Sequence, residues 1–250
     1  MSYSRAFFAF QLTFAQQVAD RFGLDFANAV QRYTTIAKGI RGTEWERYRA
    51  GLLADDPAQW ALDWHTAQRD PEPQPDDPEF YGHALFGCFY YEVRKDEAGQ
   101  ETIIRPHFIK NDQPGCRPLA RERLAVRREE LWRMVQHIQE HLPTAQTVLG
   151  NSWLYNLAAY RRLYPPAYTA TLPATQYEEF QFLALWGQCF DRNWRPKPEI
   201  TEELLRRVDC LTDLAALQSC FPYAVLRPQC GIDEFYRFFT ITERVQHEQP

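Results

Sequence analysis

The sequence contains little glycine and no long apolar segment. Only 11 of its 250 residues are glycine, and they form none of the motifs G-x-G-x-x-G, G-x-x-x-x-G-K-[ST] or G-x-S-x-G. Their absence leaves dinucleotide-binding, P-loop and serine-hydrolase interpretations without a motif. No run approaches the ~18 apolar residues that a membrane-spanning helix needs, so we expect no membrane segment.

Cysteine is present but shows no organised spacing. The six cysteines are scattered and form no C-x-x-C pair, which fits neither a zinc ribbon nor a compact disulfide framework. The amino terminus lacks the basic region, apolar stretch and cleavage site of a signal peptide. These features predict a cytoplasmic protein with reduced thiols, although an even number of cysteines also permits three disulfides.

Acidic residues exceed basic ones, which gives a formal net charge of −5 and a pI near 5.7. Such a field does not favour nucleic acid or an anionic membrane. Aromatic residues make up 15% of the chain, enough to fill a core or to line clefts. We therefore expect a soluble globular protein whose partner is a small molecule or another protein, with no nucleic acid and no membrane.

Residues 1–70 carry the signals of a helical subdomain with four successive helices. Apolar residues recur at helical spacing over residues 4–22. Glycine predicts where the first helix ends, and polar residues that cap helix starts predict where the other helices begin. These signals are Gly23, Asp25, Thr43 with Glu46 in capping-box spacing, and Asp56 with Pro57.

The segment "RDPEPQPDDPEF" at residues 69–80 contains prolines and acidic residues in close succession. Such a composition does not form a packed element and is typical of an exposed linker. We place the linker at residues 71–82 and a second domain, of α+β type, at residues 83–250.

The period of the apolar residues changes in the second domain. Two strands are predicted at 82–93 and 101–109, because aromatic and β-branched residues are enriched there, and the loop between them predicts a hairpin. A charged helix with an apolar stripe follows at 119–142. The rest is predicted as a strand at 144–150, a helix at 151–164, strands at 167–172 and 180–190, and mostly helix beyond. The expected fold is a helical N-terminal part followed by a mixed, mostly antiparallel sheet flanked by helices.

This order of elements over about residues 83–190 resembles the central and C-terminal part of the GNAT acyltransferase fold. The resemblance implies an N-acyltransferase whose acyl-coenzyme A (acyl-CoA) pyrophosphate binds at the start of the long helix, where backbone N–H groups favour anions. The loop in that place is "NDQPGCRPLA", with Gln113, Gly115 and Arg117 as ligand-binding candidates. Its glycine spacing differs from the family motif.

The segment "NLAAYRRLY" also resembles a GNAT feature, an Asn-x-x-Ala helix that ends in a tyrosine acting as general acid. Asn156 and Ala159 match that pair, and Tyr160 and Tyr164 are the candidate acids. An alternative follows from the same spacing, because aromatic residues at helical intervals commonly form a core-facing stripe. The four residues of that stripe are Trp153, Leu157, Tyr160 and Tyr164.

Further candidates come from residue type alone. Arg161, beside Arg162, is a candidate for gripping a phosphate or carboxylate, and Asn151, in the polar corner after the third strand, is a candidate ligand-binding residue. His107 and His83 on neighbouring predicted strands are candidate general bases.

The sequence "HIQEH" at residues 137–141 matches the zinc-protease pattern H-x-x-E-H. The alternative is a solvated helix end, and we predict no metal. Two functions stay open: a GNAT-like acyltransferase or related small-ligand enzyme of unknown acceptor, and a non-catalytic interaction protein with an aromatic-rich core.

Overall fold

A computed structural model describes residues 3–67, 84–96, 98–99, 102–109, 111–113 and 115–247, with side chains up to residue 240. The predicted linker at 71–82 and the candidate base His83 lie outside these ranges. The chain divides into two compact units, Met1–Glu72 with Gln176–Ala224 and Pro73–Thr175 with Val225–Pro250. None of the described helices is long and apolar enough to cross a membrane.

Helices and strands occur in both halves of the chain. The helices are α1 (Arg5–Phe22), α2 (Phe26–Tyr33), α3 (Gly42–Gly51), α4 (Pro57–Ala67), α5 (Leu124–His141), α6 (Ala158–Arg161), α7 (Pro166–Thr169), α8 (Leu183–Trp186), α9 (Pro198–Cys210) and α10 (Ile232–His247). The strands are β1 (Phe89–Lys95), β2 (Thr102–Phe108), β3 (Ala145–Leu149) and β4 (Gln229–Gly231), and 3₁₀ turns occur at Arg121–Arg123, Trp153–Asn156 and Leu214–Cys220.

The first unit is helical and is built around α1. The predicted signals at the end of α1 and the start of α2 act as expected: Gly23 ends α1 with φ +64°, and Asp25 accepts a hydrogen bond from the Asn28 N–H. Asp56 caps α4 by accepting from the Gln59 N–H across 3.0 Å. The buried rings of Phe14 and Trp186 meet edge to face at 5.0 Å in its core.

The predicted capping box at Thr43 and Glu46 is wrong. Helix α3 begins at Gly42, with Arg41 as the cap residue and no side-chain hydrogen bond to the first turn. Thr43 therefore lies inside the helix, where its hydroxyl is not at the cap position.

The second unit contains the four-stranded sheet, ordered β1-β2-β3-β4. The pairs β1/β2 and β3/β4 are antiparallel, whereas β2 and β3 are parallel and joined through α5. The apolar stripe of α5 packs on one face of this sheet, in a core that includes Leu131, Met134, Val135 and Ile138 with Phe89 and Ile104. The predicted α+β class, with a mixed and mostly antiparallel sheet flanked by helices, is confirmed.

The elements after β3 differ from the prediction. The predicted helix 151–164 is interrupted at Leu157, whose φ of −88° and ψ of 121° are extended, so a 3₁₀ turn and α6 replace it. The predicted strands at 167–172 and 180–190 are wrong. Pro166 begins the short helix α7 where the first strand was expected, and residues 183–186 of the second expected strand form α8. Strand β4 has three residues and was not predicted.

Candidate functional site

The parallel strands β2 and β3 pair through the amino-terminal part of β2 and most of β3. Thr102 lies opposite Ala145, and Ile104 opposite Val148, with a register irregularity after Thr102. Strand β2 continues to Phe108 without further pairing to β3 among the described residues. In sheets with parallel strands, ligands bind outside the carboxyl ends of those strands. This edge is therefore the first place to look for a site.

Aromatic rings fill the region beyond the last β2/β3 pair. Phe108, the last residue of β2, meets the Tyr160 ring at 5.6 Å, and Tyr160 meets Tyr155 at 5.0 Å. A Cβ atom added to Gly150, directly after β3, would lie 2.5 Å from the Tyr155 hydroxyl and 2.4 Å from that of Tyr168. Only glycine fits at this contact, because real Cβ atoms do not approach other atoms so closely.

The tyrosines at this edge form a closed cluster, which we call the tyrosine cluster: Tyr155, Tyr160, Tyr164 and Tyr168. The Tyr164 hydroxyl donates to that of Tyr160 across 2.7 Å, and the Tyr155 and Tyr168 hydroxyls are 2.9 Å apart. Each side chain is at most 2% exposed. Burial raises the pKa of Tyr155 to about 12 and the pKa values of the other three well above the ordinary value.

The structure therefore places the two candidate acids, Tyr160 and Tyr164, away from solvent and in contact with each other. This placement agrees with the core-facing alternative for the aromatic stripe. Trp153 and Leu157 of the same stripe are only half-buried. A catalytic role for either tyrosine stays a prediction.

A shallow surface depression lies at the start of α5. It is too narrow to hold a water molecule as it stands, so a ligand would require its rim to move. Arg162 on that rim is exposed and is the side chain best able to do so. The lining residues are Leu119, Ala120, Leu124, Arg127, Ala159, Arg162 and Leu163.

Arg127 lines the depression although its side chain is almost fully enclosed. Its Nη2 donates to Glu130 Oε1 across 2.8 Å, and its Nη1 lies 3.4 Å from Asp112 Oδ2 and contacts the Cys88 Sγ. Its Nε has no hydrogen-bond partner among the described residues. Arg123 completes the network by binding Asp112 across 2.5 Å.

The same network fixes the turn before β1. Glu130 Oε2 accepts from the Cys88 N–H across 3.1 Å, and a Cβ on Gly87 (φ +60°) would collide with the Glu130 carboxyl group. Burial raises the pKa of Glu130, and it raises the pKa of the Cys88 thiol to about 11. Cys88 is therefore protonated at neutral pH and unsuited to nucleophilic chemistry.

The predicted ligand-binding residues of the loop before α5 lie on its exposed surface. Gln113 donates its backbone N–H to Asp112 Oδ1, Gly115 has φ +86°, and Arg117 is exposed. All three lie near the depression in sequence, but none lines it.

The predicted residues after β3 are engaged locally. Asn151 accepts from the Thr175 hydroxyl across 3.3 Å, and Asn156 donates to the Trp153 carbonyl across 2.7 Å. Arg162, rather than the predicted Arg161, lines the depression. These positions do not test the six ligand-binding and three catalytic predictions, which stay predictions.

Sequence reasoning missed Arg127, Asp112 and Glu130. Arg127 was detectable, because it lies three residues after Leu124 and four before Leu131, on the apolar stripe of α5. A charged residue in such a position is buried only when it is paired.

His107 lies on the opposite face of the sheet, 3.5 Å from Glu92. The histidines of "HIQEH" stack with 4.2 Å between ring centroids and 15° between planes. Near-parallel rings do not direct their nitrogens at one ion, and His137 Nδ1 is 3.0 Å from the Tyr91 hydroxyl. Among the described residues, no group of three or more potential metal ligands occurs.

Comparison with protein-family models, with curated proteins and with solved structures found no match for this chain.

Proposed function

We propose that this protein is a small-ligand enzyme of the acyl-CoA-dependent acyltransferase kind, which binds the anionic part of its ligand at the start of α5. The observation that supports the proposal best is the position of Arg127. Its buried guanidinium lines a depression at the amino end of an 18-residue helix.

The chemistry at the start of α5 suits a phosphate group. The amino end of a helix carries partial positive charge, which favours anions. Arg127, which is paired with Glu130 and Asp112, lies below the depression, and Arg162 supplies an exposed cation beside it. Because the side chain of Arg162 is exposed, it can reorient toward a ligand at little cost.

The proposal assigns acyl transfer no tyrosine acid. The Tyr164 hydroxyl donates to the Tyr160 hydroxyl inside the core, and the Tyr160 ring packs on Phe108 at the end of β2. An acyl chain that entered between β2 and β3 would have to displace these rings. Binding of a complete acyl-CoA is therefore expected to be accompanied by movement of residues 150–168.

Thermal melting tests the proposal. Acetyl-CoA, coenzyme A, inorganic pyrophosphate and pantetheine are each added at millimolar concentration, and a ligand at a hundred times its dissociation constant stabilises by about 2.7 kcal/mol. We expect stabilisation by the phosphate-bearing ligands and none by pantetheine. Arg162→Ala should weaken the response, whereas Arg133→Ala, which removes an exposed arginine paired with Glu129 on the same helix, should not. No response to any acyl-CoA would refute the acyltransferase proposal.

The second candidate function is a non-catalytic interaction protein, and the enclosed tyrosine cluster favours it. Aromatic residues that are buried and mutually hydrogen-bonded serve packing rather than ligand binding. An unresponsive melt together with strong destabilisation by Tyr→Phe changes in the cluster would select this candidate.

A further inference from the structure

The face of the β1–β2 hairpin opposite the α5 core carries a group of polar side chains. In the antiparallel register, Tyr90 pairs with His107 and Glu92 with Arg105, while Arg94 follows on β1. Alternation along a strand sends these residues to one face and Phe89, Tyr91 and Ile104 to the core. The register thus places two cations and a histidine around one carboxylate.

Glu92 is the centre of this group. Its Oε2 lies 3.0 Å from Arg94 Nη2, 3.7 Å from Arg105 Nη1 and 3.5 Å from His107 Nε2. The Tyr90 ring stacks on the His107 ring with 4.6 Å between centroids and 10° between planes. The stacking fixes the plane of the imidazole, and the carboxylate lies at its Nε2 edge.

The two nitrogens of His107 have different surroundings. Nε2 is enclosed and forms no hydrogen bond among the described residues, and Glu92 Oε2 lies 3.5 Å from it. The side chain as a whole is 28% exposed, and Nδ1 is neither enclosed nor hydrogen-bonded among the described residues. Nδ1 is therefore the nitrogen that solvent or a small molecule can reach.

We propose that Glu92 and His107 form a proton-transfer site, in which Nδ1 takes a proton from the O–H or N–H group of a small anionic molecule. The substrate's heteroatom keeps the electron pair of the broken bond and becomes the nucleophile, while the proton forms a new bond to Nδ1. The imidazolium so produced donates through Nε2–H to Glu92. The 3.5 Å separation shortens when that charge appears, as apo catalytic contacts commonly do.

Charge explains the preference for an anionic molecule. Arg94 and Arg105 lie on the same face as His107, and proton transfer to His107 adds a further positive charge. The pKa of His107 lies below its ordinary value. Burial is the main cause, Arg105 and Arg94 lower the pKa further, and Glu92 opposes them. The imidazole is thus neutral at pH 7, which is the state a base requires.

Nuclear magnetic resonance of ¹⁵N-histidine-labelled protein tests the orientation of the proton. We expect neutral His107 to carry its proton on Nε2, with Nδ1 unprotonated. Glu92→Gln removes the carboxylate that stabilises the imidazolium, so the titration midpoint of His107 should fall by about one pH unit. A proton on Nδ1 in the unmodified protein, or an unchanged midpoint in a folded Glu92→Gln variant, would overturn the proposal.

A second variant keeps the test valid if Glu92→Gln does not fold. Arg94 is 57% exposed, so Arg94→Gln should be tolerated; it removes a cation near His107 and should raise the midpoint. A midpoint that stays or falls contradicts the proposed electrostatics. Glu129→Gln on α5 is the control, because it removes an exposed carboxylate remote from this face and should leave His107 unchanged.

The substrate class is tested by adding lactate or inorganic phosphate and following the His107 resonances. A saturable shift with either supports an anion-binding proton-transfer site, and its absence with both contradicts the preference for anions. These readouts do not require acyl-CoA. Failure of the acyltransferase proposal and failure of this one are therefore distinguishable.

Discussion

The Tyr164 hydroxyl donates to the Tyr160 hydroxyl across 2.7 Å, one helical turn apart in sequence and fully enclosed. Each phenol is the other's partner. The pair therefore behaves as a unit of the core, and the loss of either hydroxyl has a predictable cost.

Tyr160→Phe and Tyr164→Phe should each destabilise the protein by about 1–3 kcal/mol, because each strands a buried polar partner. Urea unfolding of the two variants and of the double variant measures this. The double variant should cost less than the sum, since both partners are then removed. Tyr236→Phe is the control, a half-buried tyrosine without a described hydroxyl hydrogen bond. Near-neutral single variants would contradict a structural pair.

The tyrosine cluster should make stability fall at alkaline pH. The folded-state pKa of Tyr155 is raised to about 12, above the unfolded value of about 10. A group with a raised folded pKa contributes fully below the unfolded value, and its contribution is lost as pH rises through the folded value. Tyrosinate absorbance should show the cluster ionising only with unfolding. Ionisation of all 13 tyrosines near pH 10 in folded protein would disprove its enclosure.

Gly150→Ala should destabilise by about 1–3 kcal/mol, because the added methyl group meets the Tyr155 and Tyr168 hydroxyls. Thermal unfolding compares it with Gly231→Ala, whose Cβ would lie 3.9 Å from the nearest atom. Equal melting temperatures for the two variants would show that the tyrosine cluster accommodates the added methyl group at little cost, and would contradict the prediction.

Arg127→Met should cost about 3–5 kcal/mol, since it leaves the largely enclosed Glu130 carboxylate without its cation. Arg133→Met breaks a pair that is largely exposed and should cost at most about 1 kcal/mol. Denaturant unfolding of both variants measures the difference. A small effect of Arg127→Met would mean that water takes the place of Arg127 as the partner of Glu130, and it would contradict the prediction.

Strong local signals in the sequence predicted much of the fold. Gly23 and Asp56 each specify a helix end through a single backbone or side-chain interaction, and the α5 stripe spans several turns. The runs at 167–172 and 180–190 were misassigned because a short apolar stretch is compatible with a strand or with a buried helical turn. Tertiary packing decides between strand and helical turn, and a local sequence pattern contains no information about that packing.

The candidate site was harder to predict for a related reason. Helical spacing placed Tyr160 and Tyr164 on one face, but spacing does not tell whether that face meets solvent or Tyr155. The relation of Glu92 to His107 depends on strand register, which the hairpin loop alone did not fix.

The first unit is completed by residues distant in sequence, which has a consequence for synthesis on the ribosome. Gln17 of α1 donates to the Leu205 carbonyl across 2.9 Å, and Phe14 packs on Trp186. The roughly 100 residues between the two segments take about 5–20 s to translate at 5–20 residues per second. During that interval α1 has been made but Trp186 has not. The nascent helices then expose an aromatic surface suited to chaperone binding. This exposure ends when residues 176–224 emerge from the ribosome.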